Sequence, residues 1–266
     1  MVNSWIPGFT VVEGPERTGL PLRFRAVREA DGAPAWVRVD GYPPDDLRAA
    51  VAFARVHGET ARMDHPDLPR VLAYGSTSIQ GRPFVAFQLS LEWTHPQRPP
   101  EAALDEAIET LAEIQLLAYE TGAAGVHVPV HELDRIRSGA RLAGRRLPLR
   151  EFLCEPRRAD GLSGLLGILD PSEWQPFVAP ETAARGRHRV SVRNALSYRV
   201  ASQAHYLLTG TPARARSEAR RHAAGEASVR IRASDAPELP GRWRLAVRSA
   251  ISENPGRRPP VEAFVA

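Results

Sequence analysis

Apolar positions recur along this chain with two periods, and the changes from one to the other predict its elements. From Phe9 to Val39 the period is two. Phe9–Glu13, Leu22–Val27 and Ala35–Val39 read as short strands separated by glycine- and proline-bearing turns. Pro44–Met63 reads as a helix, and Pro83–Leu89 returns to strand. Pro99-Pro100 opens the next helix, whose apolar face is Leu104, Ile108, Leu111, Ile114 and Leu117 and which stops at Thr121-Gly122.

Further on, Arg193–Gly210 is apolar round most of its circumference, with Ala195, Tyr198, Ala201, Ala204 and Leu208 at helical spacing and Leu196, Val200 and Leu207 widening the face. Such a helix is a buried one. Trp243, Ala246-Val247 and Ala250-Ile251 form one more amphipathic helix, which Pro255–Pro260 breaks before a final turn over Val261–Ala266. Leu147–Glu173 shows no clear period. It reads either as a long surface loop with local helix or as a regulatory, partner-binding loop.

Composition narrows the class. With 43% hydrophobic and 25% charged residues over 266 positions, the chain is a globular protein able to bury a substantial core. No stretch is apolar enough for a membrane helix, so no direct membrane insertion is expected. A lone cysteine, Cys154, excludes an internal disulfide and fits a cytoplasmic protein. All 35 basic residues are arginine, so no lysine chemistry is available. The net charge of +4 is a weak argument for a nucleic-acid partner. The arginines of Ala213–Arg232 lack interleaved aromatics for base stacking and read as a solvated face, so no nucleic acid is expected.

Three motifs carry a family resemblance: Ala179-Pro180-Glu181, the buried helix ending Leu207-Leu208-Thr209-Gly210, and Pro255-Gly256-Arg257-Arg258-Pro259. With His65-Pro66 and Gly75 ahead of them, the chain resembles the bacterial Ser/Thr protein kinases from end to end. The resemblance implies an α+β, bilobal, protein-kinase-like fold in one domain over 1–266. An N-lobe (1–90) would hold a small antiparallel sheet and one helix, and a C-lobe (91–266) would be mainly helical. It also implies a structural ion pair between Glu181 and Arg258.

Position by position, the family's chemistry falls on other residue types. Its phosphate-cradling glycines fall on Glu16, Thr18 and Pro21, with only Gly14 and Gly19 nearby. Its Val-Ala-x-Lys strand is Ala35-Trp36-Val37-Arg38, which puts Arg38 at the lysine and Trp36 at the small residue facing adenine. Trp36 either fills that space, with Phe87 behind it, or is a core aromatic on a slipped strand. The helix glutamate that pairs the lysine falls on Val56, and Gln88 takes the acidic hinge position. Isolated His57 and His65 read as structural histidines.

From His127, the family's His-Arg-Asp continues as Val128 and Pro129, so a proline stands at the catalytic base. The metal-binding asparagine falls on Asp134 and the nearby lysine on His131. His131, Glu132 and Asp134 lie too close in sequence to close a metal tetrahedron. Ser138-Gly139 is expected to turn the chain into a strand from Ala140, putting the metal-binding Asp-Phe-Gly on Gly144-Arg145-Arg146. The aspartate that begins the central helix falls on Leu196.

The expectation is therefore a pseudokinase, catalytically inactive and working through protein partners in a signalling or membrane-associated complex. No catalytic, cofactor-binding or metal-binding residue is assigned, and no cofactor is expected. The alternative is a kinase-fold enzyme or nucleotide sensor that uses arginine in place of lysine and performs non-standard transfer chemistry.

Overall fold

A computed structural model describes residues 5–16, 21–41, 46–78, 80–89, 99–144, 147–156, 173, 175–179, 192–213, 241–252 and 254–265. The chain forms two compact units, Met1–Trp93 with Pro148–Pro171, and Thr94–Leu147 with Ser172–Ala266.

In the first unit, β1 (Phe9–Glu13), β2 (Leu22–Arg28), β3 (Pro34–Val39), β4 (Val71–Ser76) and β5 (Pro83–Gln88) form an antiparallel sheet in the order β1-β2-β3-β5-β4. The two-residue period puts one set of apolar residues on one face. Phe24, Ala26, Ala35, Val37, Val39, Phe84 and Ala86 pack there with Ile6 and Phe9. Register fixes the other face, where Arg23 lies opposite Arg38, Arg25 opposite Trp36, and Trp36 opposite Phe87. Helix α1 (Leu47–Thr60) packs against β4, β5 and the short strand β7 (Leu153–Pro156). It begins at Asp46, whose carboxylate accepts the Ala49 N–H at 3.1 Å, and so is shorter than the 44–63 expected.

In the second unit, α2 (Pro100–Glu120) packs against β6 (Ala123–His127), α3 (Val130–Ala143) and α4 (Val192–Thr209). As its pattern predicts, α4 is buried from Ala195 to Leu207. Helix α5 (Gly241–Ala250) is pinned to α2: the Trp243 indole N–H and the Arg242 guanidinium donate to Asp105, and Arg242 also reaches Glu109. The Trp243 ring stacks on Phe264, which belongs to a closing 3-10 turn over Val261–Phe264.

One expectation fails here. No strand begins at Ala140, because α3 runs without a break through Ser138-Gly139. Val130, Leu133, Ile136 and Ala140 form a buried stripe at helical spacing, which outweighs the roughly 1 kcal/mol that an interior glycine costs a helix. The helix ends at Gly144, whose left-handed φ of 56° lets it cap the last turn.

Candidate functional site

In the first unit the polar half of the sheet closes into a buried cluster of charges. Arg38, 1% exposed, sits on β3 with its Nε 2.9 Å from Asp40 Oδ1 and its Nη2 3.2 Å from Asp40 Oδ2. The same Nη2 lies 3.4 Å from His57 Nε2, and Nη1 lies 3.9 Å from Glu151 Oε2. From β2, Arg23 places Nε and Nη2 3.3 and 2.9 Å from Glu151 Oε1. All five side chains are buried. Burial pushes the Asp40 carboxyl above its ordinary range, opposed by Arg38 beside it. Burial also holds His57 well below its ordinary value, reinforced by Arg38, so its ring is neutral at neutral pH.

Beside this cluster Trp36 is 1% exposed, with the Arg150 guanidinium 5.2 Å from its ring centroid. Arg150 in turn lies 3.5 Å from the Glu16 carboxylate. Phe87, across the sheet from Trp36, is 6.0 Å from Phe152. Trp36, Arg38 and Phe87 therefore share one face, as alternation and the sequence register predict.

Two residues of this cluster change the sequence reading. Val56 is buried and apolar, but His57, the next residue on α1, is the one that reaches Arg38. The carboxylate facing Arg38 is Glu151, followed by Phe152 and then β7. Gly144 caps α3 where a strand was expected, and Arg145-Arg146 lie outside the described residues. The signal was present in the sequence, an acidic residue and a phenylalanine entering a short apolar run. Glu151 lies seven residues beyond Gly144, where the strand expected at Ala140 puts the family's acidic residue.

In the second unit, the positions assigned by resemblance to catalysis have structural partners. Pro129 precedes α3 as its N-cap residue, in an extended conformation suited to opening a helix. His131 Nδ1 lies 2.8 Å from Glu173 Oε2. Glu132, buried, is paired with Arg135 at 2.8 Å. Asp134 accepts the Tyr206 hydroxyl at 2.7 Å. Each of the three has a partner outside the trio, and His131 Nε2 also lies 4.0 Å from Glu132 Oε1.

Behind β6, Gln115 donates to the Val126 carbonyl at 2.6 Å and accepts the Val126 N–H at 2.9 Å, serving that residue as a neighbouring strand would. Gly125 has φ +144°, and a Cβ there would stand 2.0 Å from Arg199 Nη1 and 2.6 Å from Leu196 Cδ2. Only glycine fits this approach. Leu196, at the family's helix-opening aspartate, is fully buried.

Of the structural pair carried over from the family, Glu181 lies outside the described residues. Arg258 is buried, donates to the carbonyls of Ser252 (2.8 Å) and Asn194 (3.1 Å), and stacks 4.9 Å over the Tyr198 ring. Thr18, Pro180 and Arg214–Arg232 are also outside the described residues.

The antiparallel five-stranded sheet with its single helix, and the mainly helical second unit with a buried central helix, define a protein-kinase fold. Among solved structures, the chain is similar to the kinase domain of Mycobacterium tuberculosis PknI, at 16% identity, a TM-score of 0.60, and coverage of 99% of this chain and 97% of that one. A single-substitution variant of the same domain matches at 18% identity and a TM-score of 0.57, over 99% and 96% of the two chains. Likeness at this identity is a likeness of fold. No family model matches the chain, and no curated protein matches it. Among the described residues no helix is long and apolar enough to cross a membrane.

Proposed function

We propose that this chain is a pseudokinase, a kinase fold that acts by binding other proteins and not by phosphoryl transfer. One observation carries the reading: Arg38, at the family's phosphate-binding lysine, is committed inside the protein. Its guanidinium holds Asp40, faces Glu151 and leans on His57, all buried. Turning it to a nucleotide would leave Asp40 an uncompensated buried charge, a cost of about 3–5 kcal/mol for a broken buried pair. Trp36 and Arg150, stacked beside it, support the same reading by occupying the side on which the family holds adenine. Pro129 supports it too, because a proline side chain accepts no proton. Phosphoryl transfer depends on positioning and charge neutralisation, and these residues are spent on neutralising one another.

A second reading, a nucleotide sensor or kinase-fold enzyme with altered transfer chemistry, is favoured by Glu151. A carboxylate followed by Phe152, beside Arg38 and at the start of a strand, matches the acid–Phe pair with which the family holds its metal.

A thermal-shift series with ATP, ADP and GTP, each with and without magnesium or manganese, separates the two. A ligand that binds only the folded state at a hundredfold over Kd stabilises it by about 2.7 kcal/mol. The binding-module reading expects no change in Tm with any combination. A nucleotide shift that needs the metal overturns it in favour of the sensor or enzyme and names Glu151 as the residue to substitute next.

A further inference from the structure

We infer that Arg150 is an autoinhibitory plug, whose guanidinium closes the Trp36 ring against flat ligands and withdraws by rotation of its own side chain. The inference rests on the pseudokinase reading and deepens it, because it concerns how the adenine side is kept shut. On the polar face of the sheet Trp36 lies between Arg25 of β2 and Phe87 of β5, almost wholly buried. Arg150 lies over its ring, with the guanidinium carbon 5.2 Å from the centroid. A guanidinium is flat, and it covers an aromatic face as a flat ring would. Beside it the Trp36 indole N–H is buried and has no hydrogen-bond partner among the described residues. A buried tryptophan N–H ordinarily finds an acceptor, and leaving one unpaired is costly. Arginine carries donors only, so the plug covers the ring without meeting that need. A ligand with an acceptor at the ring edge meets it.

The surroundings of Arg150 let its side chain move alone. Its neighbours Leu149 and Glu151 are buried, and Phe152 packs near Phe87, so the backbone on either side is anchored. The Arg150 side chain is itself 25% exposed and lies 3.5 Å from the carboxylate of Glu16, which is 46% exposed. Glu16 is set at this rim by its own N–H, which donates to the Arg23 carbonyl at 3.0 Å. The Arg23–Glu151 pair, by contrast, is 6% and 0% exposed. An ion pair open to water is weak and screened by salt, whereas breaking a buried one strands charge. Rotation of Arg150 therefore uncovers Trp36 while the charge cluster and the sheet register stay as they are. Arg38 remains committed to Asp40, so the opened site offers no cation to a phosphate. The ligand it suits is an uncharged, flat heteroaromatic ring.

Acrylamide quenching of tryptophan emission in the whole chain tests this, with the Trp36→Phe variant subtracted to isolate Trp36. Adenosine, which lacks phosphates, serves as the probe ligand. In the wild type Trp36 is expected to be shielded and Tm to be unmoved by adenosine. Arg150→Ala is expected to open Trp36 to the quencher and to gain a Tm rise with adenosine, without magnesium. Arg150→Lys, which keeps the charge and loses the flat group, is expected to fall between the two. Glu16→Gln is expected to raise quenching by at most about fivefold at low ionic strength, and to match the wild type in high salt. If Arg150→Ala fails to fold, Arg150→Lys and Glu16→Gln carry the same two readouts. A Trp36 that stays shielded in these folded variants, or one that opens without adenosine binding, overturns the inference. A wild-type Tm shift with nucleotide and metal sinks the pseudokinase reading instead, and the quenching comparison still decides whether Arg150 is the plug.

Discussion

Arg23 and Glu151 stand 128 residues apart in the chain, and both are buried, with two guanidinium nitrogens of Arg23 directed at a single Glu151 oxygen. The pair ties the segment ahead of β7 to β2, while the other Glu151 oxygen faces Arg38. Removing the carboxylate alone strands buried positive charge. Glu151→Ala is expected to destabilise the fold by about 3–5 kcal/mol, whereas the apolar double replacement Arg23→Met with Glu151→Leu is expected to stay within about 2 kcal/mol of the wild type. A double-mutant cycle in urea measures this. Additive single effects would show that the two residues do not act as a pair.

Trp36 is the largest side chain buried on the polar half of the sheet, and its truncation leaves a cavity beneath Arg150. Trp36→Ala is expected to cost about 3–5 kcal/mol, while Trp36→Phe, which keeps a ring under the guanidinium, is expected to cost less. Thermal denaturation checks the order. If the pseudokinase reading holds because the indole fills the adenine side, only the alanine variant gains a Tm shift with ATP.

Gly125 leaves no room for a side chain. Gly125→Ala combines a left-handed backbone with a methyl driven into Arg199 and Leu196, and is expected to cost about 3 kcal/mol or more. A drop in the urea midpoint several times that of Gly58→Ala, whose added Cβ meets only the Tyr74 hydroxyl at ordinary contact distance, is the expected comparison.

His57 sets a direction for the pH dependence. Its folded pKa lies well below the ordinary 6.5. Above that value neither state holds the proton, and the residue is silent. As pH falls below 6.5 the unfolded chain takes up a proton that the folded one refuses, and stability declines by up to about 1.4 kcal/mol per pH unit. Asp40, with its raised pKa, acts in the opposite sense, because the folded state takes that proton before the unfolded one. The loss between pH 6.5 and 5 is therefore expected to shrink in His57→Gln. Some slope remains from His205, whose pKa is also lowered by burial. An unchanged slope in that variant would show that His57 is not the group responsible.

Asp134 and Tyr206 share one hydrogen bond between α3 and α4. Tyr206→Phe and Asp134→Ala are each expected to cost about 1 kcal/mol, and together little more than either alone. Calorimetry with and without magnesium adds a second check, since a carboxylate serving only Tyr206 leaves Tm insensitive to the ion.

Much of this fold was legible because its signals are periodic. The alternation over Phe9–Val39 gave three strands nearly to the residue, and the all-round apolar pattern of α4 marked it as the buried helix. The register of β3 also gave Arg38 and Trp36 on one face. Elsewhere an analogy displaced the period. The stripe Val130, Leu133, Ile136 and Ala140 is as helical as any in the chain, yet the resemblance places a turn at Ser138-Gly139 and a strand after it. That one shift hid Glu151. His57 has no such signal: its partner is Arg38 on the preceding element, and no local pattern reports a contact between a helix and a strand nineteen residues apart.

The chain carries all of its side-chain positive charge as guanidinium, including the two groups buried against Glu151 and Asp40. A buried ammonium can shed its proton and become neutral, but a guanidinium keeps its charge across the range in which proteins fold. The positive half of the cluster is therefore a fixed electrostatic frame, and the groups in it whose protonation burial shifts are Asp40 and His57. Arginine removes one whole class of protonation states from the interior, so the lysine-free composition becomes a property of how the protein handles acid.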